Sequence, residues 1–176
     1  RPQLRLVSDD DAPAREAPSL EDTYKRYAPY VARIVVRMLA HRAELEDVVQ
    51  DVFVEAVRGL RDLRDPHAIK GWLGAVTMRV VRRRLRVRRL RQWLRMDEVD
   101  YAQIEAVGAS PEDRALLACV YRVLDRVPLD ARNAWLLRNI EGEPLEAIAV
   151  LCGCSLATVK RRIASAAAAI GEAIGE

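Results

Sequence analysis

Near its C-terminal end the chain places Ala149, Gly153 and Val159 four and then six residues apart. Two short helices that cross closely need a small residue where they touch, a glycine where the turn takes positive φ, and a branched apolar residue to lock the second helix. The spacing meets all three demands, and Ser155 is a good N-cap for the second helix. Pro144 to Ala169 is therefore expected to form a helix-turn-helix. Ser155, Leu156, Thr158, Lys160, Arg161 and Arg162 then fall near the start of the second helix, where such a motif meets the major groove of DNA. An ordinary helical hairpin with a basic end is the bland alternative, but it leaves the coincidence of turn glycine, cap and basic cluster unexplained.

The rest of the composition agrees with helices. Of 176 residues 51% are hydrophobic but only 5% aromatic, and Ala, Val, Leu and Arg suit packed helices better than sheets. The length allows one ordinary domain or two small helical ones. The expected fold class is all-α, with two small helical domains joined by a flexible linker, the C-terminal one containing the helix-turn-helix.

A net charge of +3 hides an uneven distribution. Nine arginines and no acidic residue lie between Arg79 and Arg95, whereas Asp9 to Asp22 and Asp97 to Glu105 lean acidic. The three cysteines, Cys119, Cys152 and Cys154, come without a signal peptide or an apolar run long enough to cross a bilayer, so a reduced cytoplasmic setting without membrane insertion is expected. Cys152 and Cys154 form a C-x-C pair, but a zinc site needs about four ligands and His41 and His67 lie far away in sequence. No metal, cofactor or catalytic residue is expected.

Residues 1–18 combine three prolines with scattered charge and no apolar period, a disordered tail. Ser19 and Asp22 form a capping pair, after which Tyr24, Ala28, Val31, Ile34, Val35 and Met38 recur at helical spacing. A second helix carries Leu45, Val48, Val49, Val52, Phe53, Ala56, Val57 and Leu60 on one stripe and Glu44, Asp47, Gln50, Asp51 and Glu55 on the other. Asp65-Pro66 breaks the pattern in a loop between Gly59 and Lys70. A third helix starts at about Ile69, with Trp72, Leu73, Val76, Val80 and Leu85 inward and arginines over the rest. That N-terminal domain spans 19–95, and an acidic, irregular linker spans 96–110. Ser110-Pro111-Glu112-Asp113 opens the C-terminal domain, 111–172. Leu116, Leu117, Val120, Val123, Leu124 and Val127 form an amphipathic helix closed by Pro128. Asp130 is placed to cap the next helix, with Ala134, Leu137 and Ile140 inward and Gly142 at its end.

Charge runs are usually solvated faces. Nine cations without a counter-charge nearby in sequence repel one another unless an anion is at hand, and DNA phosphate is the natural one. Trp72 fits a core position or a base-stacking one, and its spacing favours core.

Asp47-Val-Val-Gln50-Asp51-Val-Phe53, Gly71-Trp72-Leu73, Leu145-Glu146-Ala147-Ile148-Ala149 and Ser155-Leu-Ala-Thr158-Val159-Lys160 together resemble bacterial RNA polymerase sigma factors of the extracytoplasmic-function group. The resemblance runs in order over about residues 21 to 172. It implies a transcription initiation factor that binds core RNA polymerase, directs it to promoters and assists their melting. Glu44, Asp47, Gln50 and Asp51 would dock on the clamp helices of the largest catalytic subunit. Asp65, His67, Lys70, Trp72, Arg79, Arg82, Arg83 and Arg86 would contact the upstream-melting element, where base unstacking is repaid by pocket and backbone contacts. Ser155, Thr158, Lys160, Arg161 and Arg162 would read the element near minus thirty-five. Promoter DNA and core polymerase are the implied partners, an anti-sigma factor a further candidate.

Three positions depart from the resemblance. Arg79 stands where such factors usually have Asn, Arg83 where they often have Asp, and Ala164 to Ala169 replaces further basic residues. Two other classes compete. A stand-alone helix-turn-helix regulator explains the C-terminal half only. An enzyme acting on nucleic acid lacks a phosphate-cradling glycine loop, a metal cluster or a nucleophile with a histidine nearby in sequence.

Overall fold

The structure, a computed structural model, describes residues 19–40, 42–60, 63, 65–94 and 110–175. The N-terminal tail and nearly all of the expected linker lie outside the described residues. Seven α-helices and one 3-10 turn, with no strand, make up the described part. They are α1 (Leu20–Leu39), α2 (Leu45–Leu60), the 3-10 turn Pro66–Ala68, α3 (Ile69–Trp93), α4 (Pro111–Leu124), α5 (Leu129–Asn139), α6 (Leu145–Cys152) and α7 (Leu156–Ile174).

Local chemistry accounts for most of the boundaries. The Ser19 hydroxyl accepts from the Asp22 backbone N–H at 3.0 Å and donates to the Asp22 carboxylate at 2.7 Å, starting α1. Ala40 ends it in the left-handed region at φ 69°. Pro29 lies inside α1 without ending it. Ser110 and Asp113 form a complete capping box with Pro111 in the first turn of α4. One expectation fails: α5 starts after Pro128 with no side-chain cap, and Asp130 lies within the helix. Its carboxylate turns outward to arginines of two other helices, where charge attraction outweighs a local cap.

Helices α1 to α3 bury Val31, Ile34, Val35, Met38, Val48, Val52, Phe53, Leu73, Val76 and Val80. Helices α4 to α7 bury Tyr121, Leu124, Ala134, Leu136, Leu137, Ile148, Val159 and Ala166. The expected inward stripes hold except at Tyr24, Val57 and Leu116, which are exposed. The first two line an open apolar groove between α1 and α2.

The two helix groups share one continuous core, because α3 packs directly on α6 and α5. At the centre of this contact is Gly74, where a Cβ would stand 2.5 Å from Leu151 Cδ2 and 2.8 Å from Tyr30 Oη. The absent side chain lets α6 approach α3. Around it, Tyr121 Oη donates to the Arg37 carbonyl at 2.7 Å, and Glu141 pairs with Arg33 at 2.8 Å and Arg37 at 3.4 Å.

The C-terminus of α4 gathers three guanidiniums. Arg89 Nη2 donates to the carbonyls of Leu124 at 3.4 Å and Val127 at 2.8 Å. Arg132 Nε donates to Asp125 at 3.0 Å, and Arg88 lies 3.8 Å from the other Asp125 oxygen while donating to the Leu39 carbonyl at 3.1 Å. Unsatisfied carbonyls and the negative end of the helix dipole attract cations here. Arg132 is fully buried, and desolvation holds its pKa below the ordinary arginine value against the opposing pull of Asp125.

Candidate nucleic-acid interface

The helix-turn-helix forms as its spacing requires. Gly153 ends α6 at φ 61°, ψ 44°, a conformation that costs a residue with a Cβ far more than glycine. The Cys154 N–H returns to the Ala149 carbonyl at 3.0 Å, closing the turn. Ser155 then caps α7 by accepting from the Thr158 N–H at 3.3 Å, and Val159 is fully buried. Ser155, Lys160 and Arg161 are exposed along the start of α7, with Thr158 half-buried beside them.

Arg162 is different. Its Nη2 donates to Asp130 at 2.6 Å and its Nη1 to Cys154 Sγ at 3.2 Å, so it faces the body of the protein. The alanine run also has a packing role. Ala166 is fully buried, Ala169 and Ile170 pack against the same core, and α7 lies along α4 and α5. Small side chains permit that approach, and the exposed Ala164, Ala167 and Ala168 offer no charge to phosphate.

The arginines of α3 have more partners than their run in the sequence indicates. Arg79 and Arg83 pair with Glu55 at 2.6 and 3.5 Å, Arg84 with Glu44 at 2.7 Å, and Arg82 with Asp130 at 3.2 Å. Arg88 and Arg89 are docked on α4. The absence of counter-charge holds only along the sequence; in space, Glu44 and Glu55 at α2, Asp125 at the end of α4 and Asp130 on α5 supply it. Arg79, Arg83 and Arg86 remain exposed, and Arg86 has no ion-pair partner among the described residues. Glu44, placed by resemblance on a polymerase-facing stripe, is engaged by Arg84. Asp47, Gln50 and Asp51 are exposed on α2, and neither carboxylate has an ion-pair partner among the described residues.

Ahead of α3, the Asp65 carboxylate accepts from the His67 N–H at 2.9 Å, a side-chain turn that starts the 3-10 segment. Asp65, His67 and Lys70 are exposed, and Lys70 Nζ sits 5.1 Å from the centre of the Tyr30 ring. Trp72 is half-buried against α2, where a Cβ on Gly59 would lie 2.7 Å from its ring. Its packing is that of a core residue with one open edge.

Sequence reasoning missed the acids that organise this surface. Asp125, Asp130 and Glu141 reach arginines that lie dozens of residues away, Arg88, Arg82, Arg162, Arg33 and Arg37, and periodicity carries no sign of such pairing. No group of three or more His, Cys, Asp or Glu suited to a metal occurs among the described residues. No helix among them is long and apolar enough to cross a membrane.

The Sigma-70 region 2 family matches residues 23–91, and the Sigma-70 region 4 family matches residues 117–170. The ECF RNA polymerase sigma factor SigE of Mycolicibacterium smegmatis is 30% identical over 154 residues, covering 83% of this chain and 58% of that protein. The RNA polymerase sigma-H factor of Pseudomonas aeruginosa is 30% identical over 162 residues, covering 85% of this chain and 82% of that protein. This chain therefore spans just over half the length of the first relative and about four-fifths of the second. Among solved structures, the sigma factor RpoE from Bartonella quintana, in complex with the anti-sigma factor NepR, superposes with a TM-score of 0.65 at 22% identity, covering 88% of this chain and 96% of that one. CnrH in complex with the cytosolic domain of CnrY gives a TM-score of 0.60 at 22% identity, covering 89% and 87%. At that identity the likeness shows the fold. The match over residues 23–91 is what a stand-alone regulator would not account for.

Proposed function

The chain belongs to the extracytoplasmic-function group of RNA polymerase sigma factors, which are transcription initiation factors, and from that premise we propose how its surfaces divide the work. Core polymerase docks on α2 through Asp47, Gln50 and Asp51. The observation that carries this assignment is that these three stay exposed, with both carboxylates free of ion pairs among the described residues, while Glu44 just ahead of the helix and Glu55 on it are taken by α3. Beside them Tyr24, Val49, Phe53, Val54 and Val57 line the apolar groove. An apolar strip with an acidic rim suits a partner helix that carries basic residues.

Promoter DNA meets two surfaces. Asp65, His67, Lys70 and the exposed edge of Trp72, with Arg79, Arg83 and Arg86, face the melting element; Ser155, Thr158, Lys160 and Arg161 enter the major groove at the upstream element. The chain itself performs no catalysis and works in the cytoplasm, where its free cysteines stay reduced.

The closed arrangement is the form before promoter binding. Asp130 holds Arg82 of α3 and Arg162 of α7 at once. One carboxylate thus fixes the spacing between the arginine-rich helix and the helix-turn-helix. A promoter whose two elements do not match that spacing needs the two helix groups to separate. An anti-sigma protein that favours the closed form would oppose this step.

Run-off transcription from a cognate promoter, with sigma-free core polymerase, should require the chain. Asp47→Ala and Gln50→Ala should weaken its binding to core several-fold. Free protein should shift duplex DNA weakly in a gel, and holoenzyme strongly. Absence of core binding at saturating protein would end the proposal.

A further inference from the structure

We propose that Glu55 sets how strongly α3 engages DNA phosphate, by serving as the resident counter-ion of Arg79 and Arg83. The proposal rests on the reading of α3 as a promoter-facing helix.

Arg79 and Arg83 are four residues apart and share a face of α3. They are the two positions at which this chain departs from the family pattern toward positive charge. Alone, two neighbouring guanidiniums would repel each other and would be relieved by a phosphate. Here the relief is internal. Glu55 lies on α2, four residues after Asp51, and reaches across to α3 with both oxygens: Oε1 stands 2.6 Å from Arg79 Nε and Oε2 stands 3.5 Å from Arg83 Nη1.

Exposure decides whether the trio is a fixed brace or a reversible restraint. Both arginine side chains are more than 60% exposed, and Glu55 is 27% exposed. Pairs this open are weak, so a phosphate can displace the carboxylate. Each guanidinium keeps further N–H donors, so Glu55 acts through its charge and partly neutralises both arginines until a phosphate displaces it. Arg88, 10% exposed and held by Asp125 and a carbonyl, has no such freedom. Two added cations thus come with a built-in competitor, and Glu55 keeps them from turning into indiscriminate affinity for DNA.

Holoenzyme assembled from core polymerase and the full chain, titrated onto a promoter fragment over a range of salt, tests this. Glu55→Gln keeps the side-chain length and removes the charge. It should tighten binding about two- to ten-fold at low salt. The plot of log affinity against log salt should also steepen by about one to two, at ~0.9 per phosphate newly neutralised. In an Arg79→Gln/Arg83→Gln background the same substitution should change neither quantity. The proposal is overturned if Glu55→Gln leaves affinity and slope unchanged, if it weakens binding, or if its effect persists without the two arginines. If the unsubstituted chain does not bind core polymerase, the parent reading fails first and takes this one with it; that arm is read separately. Circular dichroism of each variant verifies that the helices are retained.

Discussion

Arg162 of α7 donates from Nη2 to Asp130 Oδ2 at 2.6 Å, while the other oxygen of Asp130 faces Arg82 of α3 at 3.2 Å. One carboxylate therefore joins the helix-turn-helix to the arginine-rich helix. Asp130→Asn should remove both ion pairs, worth on the order of 1 kcal/mol together at this exposure. Small-angle scattering should then report a larger radius of gyration for the free protein, and its duplex affinity should rise a few-fold. An unchanged radius at low and high salt would show that the helix groups stay together without Asp130.

Gly74 tests the same contact from its apolar side. Gly74→Leu places its side chain where Leu151 Cδ2 and Tyr30 Oη now stand, an overpacking worth about 1–3 kcal/mol. Helical content should stay near that of the parent while calorimetry resolves two thermal transitions in place of one. A single transition at the parental temperature would mean that α6 accommodates the larger residue without leaving α3.

Asp125 balances the buried guanidinium of Arg132 at 3.0 Å. Removing one partner of a buried pair leaves an uncompensated charge, and Asp125→Ala should lower stability by about 3–5 kcal/mol in urea titration. Replacing both residues by apolar ones, Asp125→Leu with Arg132→Met, should recover most of that loss. The prediction fails if the single variant is as stable as the parent.

Burial, followed by the neighbouring Cys154, pushes the Cys152 thiol from 9.0 up to about 11. At pH 8 the folded protein should therefore react with a thiol reagent more slowly at Cys152 than at Cys119 or Cys154. The sign of the stability effect follows from the raised value. The neutral thiol is favoured by folding, so its contribution is intact below about 9 and is lost as pH climbs toward 11. Tyr30, pushed up to about 12 mainly by burial, extends the loss to higher pH. Urea midpoints measured from pH 7 to 11 should hold level and then fall; a midpoint that rises above pH 9 would contradict both assignments.

Whatever depends on neighbours a few residues apart was determined by the sequence itself. Ser19 with Asp22, Ser110 with Asp113 and Ser155 with Thr158 are caps closed within three residues. Gly153 occupies its left-handed turn because of its own backbone freedom. The helical periods follow from 3.6 residues per turn, and the motifs on α2, α3, α6 and α7 sufficed to identify the family.

The fate of the charges was decided only in three dimensions. In sequence Arg79 to Arg95 is a cationic run with no counter-ion; folded, Glu44 and Glu55 at α2, Asp125 at the end of α4 and Asp130 on α5 converge on its arginines. The same packing turns Asp130 from a cap into a link, withdraws Glu44 and Arg162 from the open surface, and buries Arg132. Coulomb attraction acts through space and falls with distance, while sequence separation says nothing of that distance until the core is packed. Thus the helix-turn-helix was legible residue by residue, but which arginines stand free for DNA was not.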